Sequence, residues 1–263
     1  MNPPAPTAIA VFDIDGVVRD VAGSYRRAIA DTVQHFTRDR YRPTPEDIDA
    51  LKAEGRWNND WEASQELIAR FFQARDFSET LPDFQAIVDF FQAKYRGENF
   101  SGYIQSEPLL MDRSYLEELT QGGVLWGFFS GATRGSAGYV LERRLGLEQP
   151  ILVAMEDAPG KPDPAGLFQT IALLARRHSF AADLSVPFDF PIIYVGDTVA
   201  DMQTVERAKQ AYPMQQWFAV GVIPPHVQRR SLYAQILNEA GAIAVLDSVG
   251  QLLDWIQGDR SNY

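Results

Sequence analysis

Cysteine is missing altogether from these 263 residues, and histidine occurs only three times. The first absence excludes a disulfide framework, thiol catalysis and thiolate-held metal. The three histidines, His35, His178 and His226, stand alone without ligand spacing and are given no role. Cationic side chains are also scarce: 24 Lys and Arg face 35 Asp and Glu, for a net charge of -11 and a pI near 4.8. Nucleic acids and anionic membrane surfaces are both recognised through a basic footprint, so neither is an expected partner. A small anion would have to be held by a few local cations. No apolar run reaches the ~20 residues of a membrane span. The opening Met1–Ala10 carries no basic region of the signal-peptide kind, and its apolar part leads directly into aspartates. Internal repeats and low-complexity stretches are absent too, and the expectation is a soluble, cytoplasmic chain.

What is present is apolar material, 46% of the residues, enough to bury a large core or a core with an insert. Two short apolar runs, Ala8–Phe12 and Pro191–Val195, read as buried parallel strands with acids at their carboxyl ends. Between Asp20 and about Gln105 the spacing turns helical, through 25–36, 61–72 and 84–95, with no strand-like run. After Pro108 strands and helices alternate: helix 114–120, strand 123–129, helix 135–145, strand 151–154, helix 164–177, strand 192–195, helix 201–210 and strand 217–222. This predicts an α/β fold with one parallel sheet, assembled from 1–20 and 106–263, and an all-α insert over 21–105. Two chain crossings, near 20 and 105, would suit a hinge. The link 177–191 is long, and its role is not evident from its residues.

Four segments carry the chemistry. Val11-Phe-Asp-Ile-Asp-Gly16 ends the first strand, Phe128-Phe-Ser-Gly-Ala-Thr-Arg134 ends another, Gly160-Lys-Pro-Asp-Pro164 opens a helix, and Tyr194-Val-Gly-Asp-Thr-Val-Ala-Asp-Met202 follows the last apolar run. Asp13 and Asp15, two apart, would share one face of an extended strand, with Gly16 opening the backbone after them. A calcium loop is a poor match, because its third ligand position holds Val17 and its glycine comes too early. Two carboxylates about 6 Å apart repel by about 3 kcal/mol at an effective dielectric of about 20, so acids gathered at neighbouring strand ends would need compensation. A divalent cation and a lysine would turn that repulsion into attraction.

In content and order these segments resemble the four motifs of the haloacid dehalogenase superfamily, in its subfamily with a helical cap. The resemblance covers most of the chain. It implies a Rossmann-like parallel core of 1–20 and 106–263, a helical cap of 21–105, and a magnesium-dependent phosphohydrolase of small phosphomonoesters. Asp13 would be the nucleophile that forms an aspartyl-phosphate, and Asp15 the general acid and base. True dehalogenases lack the second aspartate, so Asp15 points to phosphoryl transfer. Lys161 would hold phosphate oxygens and offset the nucleophile's charge, and Ser130 would donate to the transferred group, with Gly131 and Thr133 beside it. The Mg²⁺ ion would rest on Asp13, Asp197 and the backbone carbonyl of Asp15. Asp201 would either ligate it or serve as a helix-start acid. The polar run Leu51–Trp61 resembles the cap's specificity loop, which makes Glu54, Arg56, Trp57, Asn58 and Asn59 candidates for leaving-group recognition, although Asn59 could equally cap a helix. Arg134 reads as exposed. Two other outcomes remain open at this level: a phosphomutase of the β-phosphoglucomutase type, whose characteristic histidine is missing from Val21–Tyr25, and a metal-binding protein without turnover. The expected partner is a small phosphorylated metabolite. Substrate identity and oligomeric state are not legible.

Overall fold

A computed structural model describes residues 5–52, 54, 56, 57, 59–75, 80–180 and 184–258. The chain divides into two compact units, one drawn from Met1–Asp20 with Leu109–Tyr263 and the other from Val21–Pro108.

The first unit is built on six strands: β1 (Ala8–Phe12), β2 (Val124–Phe129), β3 (Leu152–Val153), β4 (Ile192–Gly196), β5 (Trp217–Val222) and β6 (Ala244–Leu246). All pair in parallel, in the order β3-β2-β1-β4-β5-β6. This is the α/β sheet that the alternation of elements predicts. Both faces of β1 are buried, which is why its sequence is apolar at every position. Ala8, Ala10 and Phe12 join a cluster with Phe128, Leu116 and Trp255, while Ile9 and Val11 join the opposite one with Tyr194, Leu167 and Ile171. That split follows the two-residue period of a strand.

Sequence order also decides where a ligand would sit. From β1 the chain winds outward through β2 and β3, then returns to the other side of β1 and winds outward again through β4, β5 and β6. The loops leaving β1 and β4 therefore diverge, and a crevice opens at the carboxyl ends of these two strands.

Helices α1 (Tyr25–Phe36), α2 (Pro45–Lys52), α3 (Asp60–Gln73) and α4 (Phe84–Tyr95) make up the second unit, and no strand occurs among its described residues. Their apolar stripes meet through Ile29, Val33, Ile68, Phe72, Ile87 and Phe91. In the first unit, α5 (Arg113–Gln121), α6 (Arg134–Gly138), α7 (Ala165–His178), α8 (Val199–Ala211), α9 (Arg230–Glu239) and α10 (Leu252–Gln257) cover the sheet.

Two expectations need correction. The regular helix expected over 135–145 is a short α6 followed by a π-helical run, Tyr139–Arg144. Gly135 and Gly138 fall in this stretch, and each costs about 1 kcal/mol relative to alanine in an α-helix. The strand expected over 151–154 is reduced to the two residues of β3 at the sheet edge. Beyond Val222, where no element is read from the sequence, β6, α9 and α10 complete the sheet and its cover. The long link 177–191, whose residues 181–183 lie outside the description, packs Phe180, Phe188 and Phe190 into an aromatic group. Gln215 ties it down, accepting from the Phe188 amide and donating to the Phe190 carbonyl.

Candidate active site

The site grows from the carboxyl ends of β1 and β4. β1 stops at Phe12, and the Asp13 amide donates to the Val195 carbonyl of β4 at 2.8 Å, so Asp13 is still anchored to the neighbouring strand. The backbone then turns at once, because the Ile14 carbonyl accepts from the Val18 and Arg19 amides at 2.8 and 3.1 Å. Asp13 and Asp15 thus part company. Asp13 is buried and faces Lys161, while the Asp15 side chain is 40% exposed, its Oδ1 accepting from Arg19 Nε at 2.7 Å with Nη2 in ion-pair contact at 2.6 Å.

Gly16 is required where it stands. Its φ is +77°, and a Cβ there would lie 2.1 Å from Asp197 Oδ2. The bare α-carbon is what lets the Asp197 carboxylate come down beside the first motif. Gly196 does the same for Asp201, whose Cβ would lie 2.3 Å from a side chain at that position. Carboxylate oxygens of Asp13, Asp197 and Asp201 consequently all lie within 4.8 Å of one another. Asp15 contributes no carboxylate to this group.

Among the described residues, one cation faces the three acids. Lys161 Nζ sits 2.8 Å from Asp13 Oδ1 and 2.7 Å from Asp201 Oδ1. Burial alone would discharge this lysine, but Asp13 and Asp201 outweigh it and hold its pKa well above the ordinary value. A single ammonium does not compensate all three. Burial lifts the Asp13 carboxyl from 3.8 to about 7 against the pull of Lys161, with Asp201 and Asp15 adding repulsion. Enclosure and the charges of Asp201 and Asp13 likewise push Asp197 well above the ordinary carboxylate range. Acids brought this close with one ammonium among them, two of them raised by burial and by their neighbours, fit a divalent cation, and hard oxygen donors suit magnesium.

Asp201 is occupied in a way its sequence position does not reveal. Oδ2 accepts from the Thr198 amide at 2.9 Å and the Thr198 hydroxyl at 2.6 Å, closing a capping box at the start of α8. Oδ1 takes Lys161 and lies 3.2 Å from the Tyr194 hydroxyl. The residue is fully buried, so four donors hold it in the helix-capping arrangement while it remains within the acidic group.

Ser130 follows β2 and is buried, its Oγ accepting from the Ala132 amide at 3.1 Å and keeping its own proton to donate. Gly131 is exposed just beyond it, and Thr133 caps α6. The Arg134 amide donates to Glu156, and its guanidinium is paired with Asp157.

In the helical unit the polar run is arranged around Glu54. Arg70 grips its carboxylate with two bonds of 2.6 and 2.8 Å, and the Trp57 indole N–H donates to it at 3.0 Å. Arg56 is 73% exposed and lies 5.5 Å from the Trp57 ring. Asn59 caps α3, accepting from the Trp61 amide at 2.9 Å. Asn58 lies outside the described residues. Glu54, Arg56 and Trp57 therefore form one cluster, whereas Asn59 is engaged as a helix cap.

Several participants escape sequence reasoning. Tyr194 looks like one more apolar strand residue, yet its hydroxyl lies beneath Lys161 and Asp201, 3.1 Å from the Phe129 carbonyl. Tyr233 of α9 donates to the Asp197 carbonyl at 2.6 Å from far along the chain. Arg19 and Arg70 carry no local signal at all. His226, given no role, lies 3.2 Å from Asp20.

A switch-point crevice with Asp13, Ser130 and Asp197 at the ends of parallel strands, and with Lys161 beside Asp13 and Asp201, is the ligand-binding edge of a doubly wound α/β fold. The family model for haloacid dehalogenase-like hydrolases matches residues 7–209, and the chain belongs to that family. It is 30% identical over 96% of its length to an imidazoleglycerol-phosphate dehydratase of Phytophthora nicotianae, and it spans about half, 53%, of that relative's length. Among solved structures, a phosphatase of Thermococcus thioreducens superposes with a TM-score of 0.64 at 20% identity, covering 95% of this chain and 99% of that one. A putative β-phosphoglucomutase of Thermotoga maritima gives 0.60 at 18% identity, covering 96% and 99%. At these identities the two structures speak for the fold. Among the described residues, no helix is long and apolar enough to cross a membrane.

Proposed function

We propose that this chain is a magnesium-dependent phosphohydrolase of small phosphomonoesters that works through a phosphorylated Asp13, with 21–108 as its cap unit and 1–20 with 109–263 as its catalytic core. The observation that carries the reading is the buried Asp13 carboxylate, held 2.8 Å from Lys161 at the end of β1 and joined there by Asp197 and Asp201.

A carboxylate oxygen of Asp13 attacks phosphorus, and the bond from phosphorus to the ester oxygen breaks. Asp15, as the acid, gives its proton to the departing oxygen, so the leaving group departs as an alcohol. In the second half Asp15, now a carboxylate, removes a proton from water. The resulting hydroxide attacks the phosphorus of the aspartyl-phosphate and breaks its bond to Asp13, which restores both acids and frees inorganic phosphate. Lys161 and the Ser130 hydroxyl hold the oxygens of the transferring group where charge accumulates, and the amides around Gly131 and Thr133 lie close by. Asp13, Asp197 and the Asp15 carbonyl would hold Mg²⁺, with Asp201 behind them. The ion would supply charge neutralisation and orientation of the phosphoryl group. Glu54, Arg56 and Trp57 are the side chains we assign to leaving-group selection in the cap, together with Asn58.

Assaying phosphate release across a panel of phosphomonoesters, with Mg²⁺ and with EDTA, tests this reading. The panel includes imidazoleglycerol phosphate, the compound in the name of the Phytophthora relative. Metal-dependent release from at least one ester is expected. A phosphomutase would instead interconvert sugar phosphates, require a bisphosphate activator and release little free phosphate, and that outcome would overturn the hydrolase reading.

A further inference from the structure

We propose that Arg19 is the positioning residue for Asp15, clamping one carboxylate oxygen so that the other is presented to the leaving group; the role rests on the phosphohydrolase reading above.

Arg19 is fully buried and is among the largest enclosed side chains of the described residues. An arginine is seldom placed there unless its guanidinium has a fixed task, since its charge must be solvated by protein. Its backbone is immobilised from three sides. The Arg19 amide donates to the Ile14 carbonyl at 3.1 Å, its carbonyl accepts from the Gly16 amide at 2.9 Å, and it forms a bridge with Leu109 on the returning chain. The next contact along that return, from the Leu110 amide to the Val18 carbonyl, is 2.8 Å. A rigid base therefore directs the side chain back over the same turn to Asp15.

Nε donates to Oδ1 at 2.7 Å, Nη2 lies 2.6 Å from the same oxygen as an ion-pair contact, and among the described residues no hydrogen bond reaches Oδ2. The planar guanidinium fixes the orientation of the group as well as its place, which an ammonium on a flexible stem does not. This matters for a group that must meet a leaving oxygen within hydrogen-bond distance in one step and a water in the next. A misplacement of about 1 Å at such a group costs roughly a hundredfold in rate.

An arginine that merely supports the turn would affect all substrates alike, whereas one that positions the acid would matter most where the leaving group needs a proton. The test compares wild type, Arg19→Met and Arg19→Lys on an alkyl phosphate and on p-nitrophenyl phosphate, whose phenolate departs without assistance. For Arg19→Met the expected result is a kcat loss of roughly 10–100-fold on the alkyl ester against less than about threefold on the aryl ester, with KM little changed. Arg19→Lys should fall between Arg19→Met and wild type. In an Asp15→Asn background Arg19→Met should add no further preference for the aryl ester. Equal losses on the two esters, or no loss, would overturn the proposal. Should Arg19→Met not fold, Arg19→Lys carries the same comparison. A wild type inactive on both esters counts against the phosphohydrolase reading, and the clamp is then read from the crystal structure of Arg19→Lys. Displacement of the Asp15 carboxylate in that structure supports the clamp, and an unmoved carboxylate contradicts it.

Discussion

Asp13→Asn is expected to abolish metal-dependent phosphate release, by roughly a thousandfold or more, while leaving the protein folded. The magnitude follows from the proposed role: an amide cannot form the covalent intermediate, and the neighbouring acids lie on other backbones and cannot take over its position. Retention of the fold follows from the electrostatics. Burial and adjacent carboxylates already favour the uncharged form of Asp13, and asparagine is a neutral group of the same shape. Removing one charge from a repelling cluster should leave the metal-free variant as stable as wild type at pH 5 and more stable at pH 8. Phosphate assays and thermal unfolding on the same preparation check both halves. Loss of activity accompanied by loss of structure would contradict the account.

The second large effect is the response of the metal-free protein to pH. The Asp13 carboxyl is raised from 3.8 to about 7 by burial, and Asp197 is raised well above the ordinary range by the same cause and by Asp201 and Asp13. In both cases the folded chain binds the proton more tightly than the unfolded chain. The Asp13 contribution to stability is therefore whole below about pH 4 and is lost as the pH climbs through about 7, and Asp197 adds a dependence of the same sign. Lys161, raised above its ordinary value, stays charged throughout this window and adds no slope. Between pH 5 and pH 8 the melting temperature in EDTA should fall, by an amount on the order of 5 °C. Magnesium competes with those protons, so it should bind more tightly as pH rises, and saturating ion should restore more stability at pH 8 than at pH 5. Differential scanning calorimetry with and without Mg²⁺ measures both trends. A metal-free protein that gains stability from pH 5 to pH 8, or a metal effect that is larger at pH 5, would contradict the electrostatic description of the site.

Legibility in the sequence differs from residue to residue, for physical reasons. The spacing predicts helices over 25–36 and 84–95, and α1 and α4 have those bounds, because a one-sided apolar stripe is a local property that packing only confirms. The buried central strands β1, β4 and β5 are equally plain, since a strand covered on both faces must be apolar throughout. β6 is three residues long, too short to establish a period. Asp13, Lys161 and Asp197, which the structure brings together, carry a local signal, since each follows a strand end or a Pro-Gly pair. Asp201 could not be decided between helix acid and metal ligand, because the choice depends on Lys161, forty positions away, and on Tyr194. Arg19 was opaque for a related reason. Within Val-Val-Arg-Asp it resembles a loop residue, and only the folded turn buries it against Asp15.

The most direct test of the central claim is to quench a turning-over reaction in acid and weigh the peptide that contains Asp13. With a substrate from the panel and Mg²⁺ present, the account predicts a phosphoryl adduct on that peptide, localised to Asp13 and missing from Asp13→Asn. Phosphate release by the wild type with no adduct on Asp13 at any quench time, or with the adduct on a different residue, would contradict it.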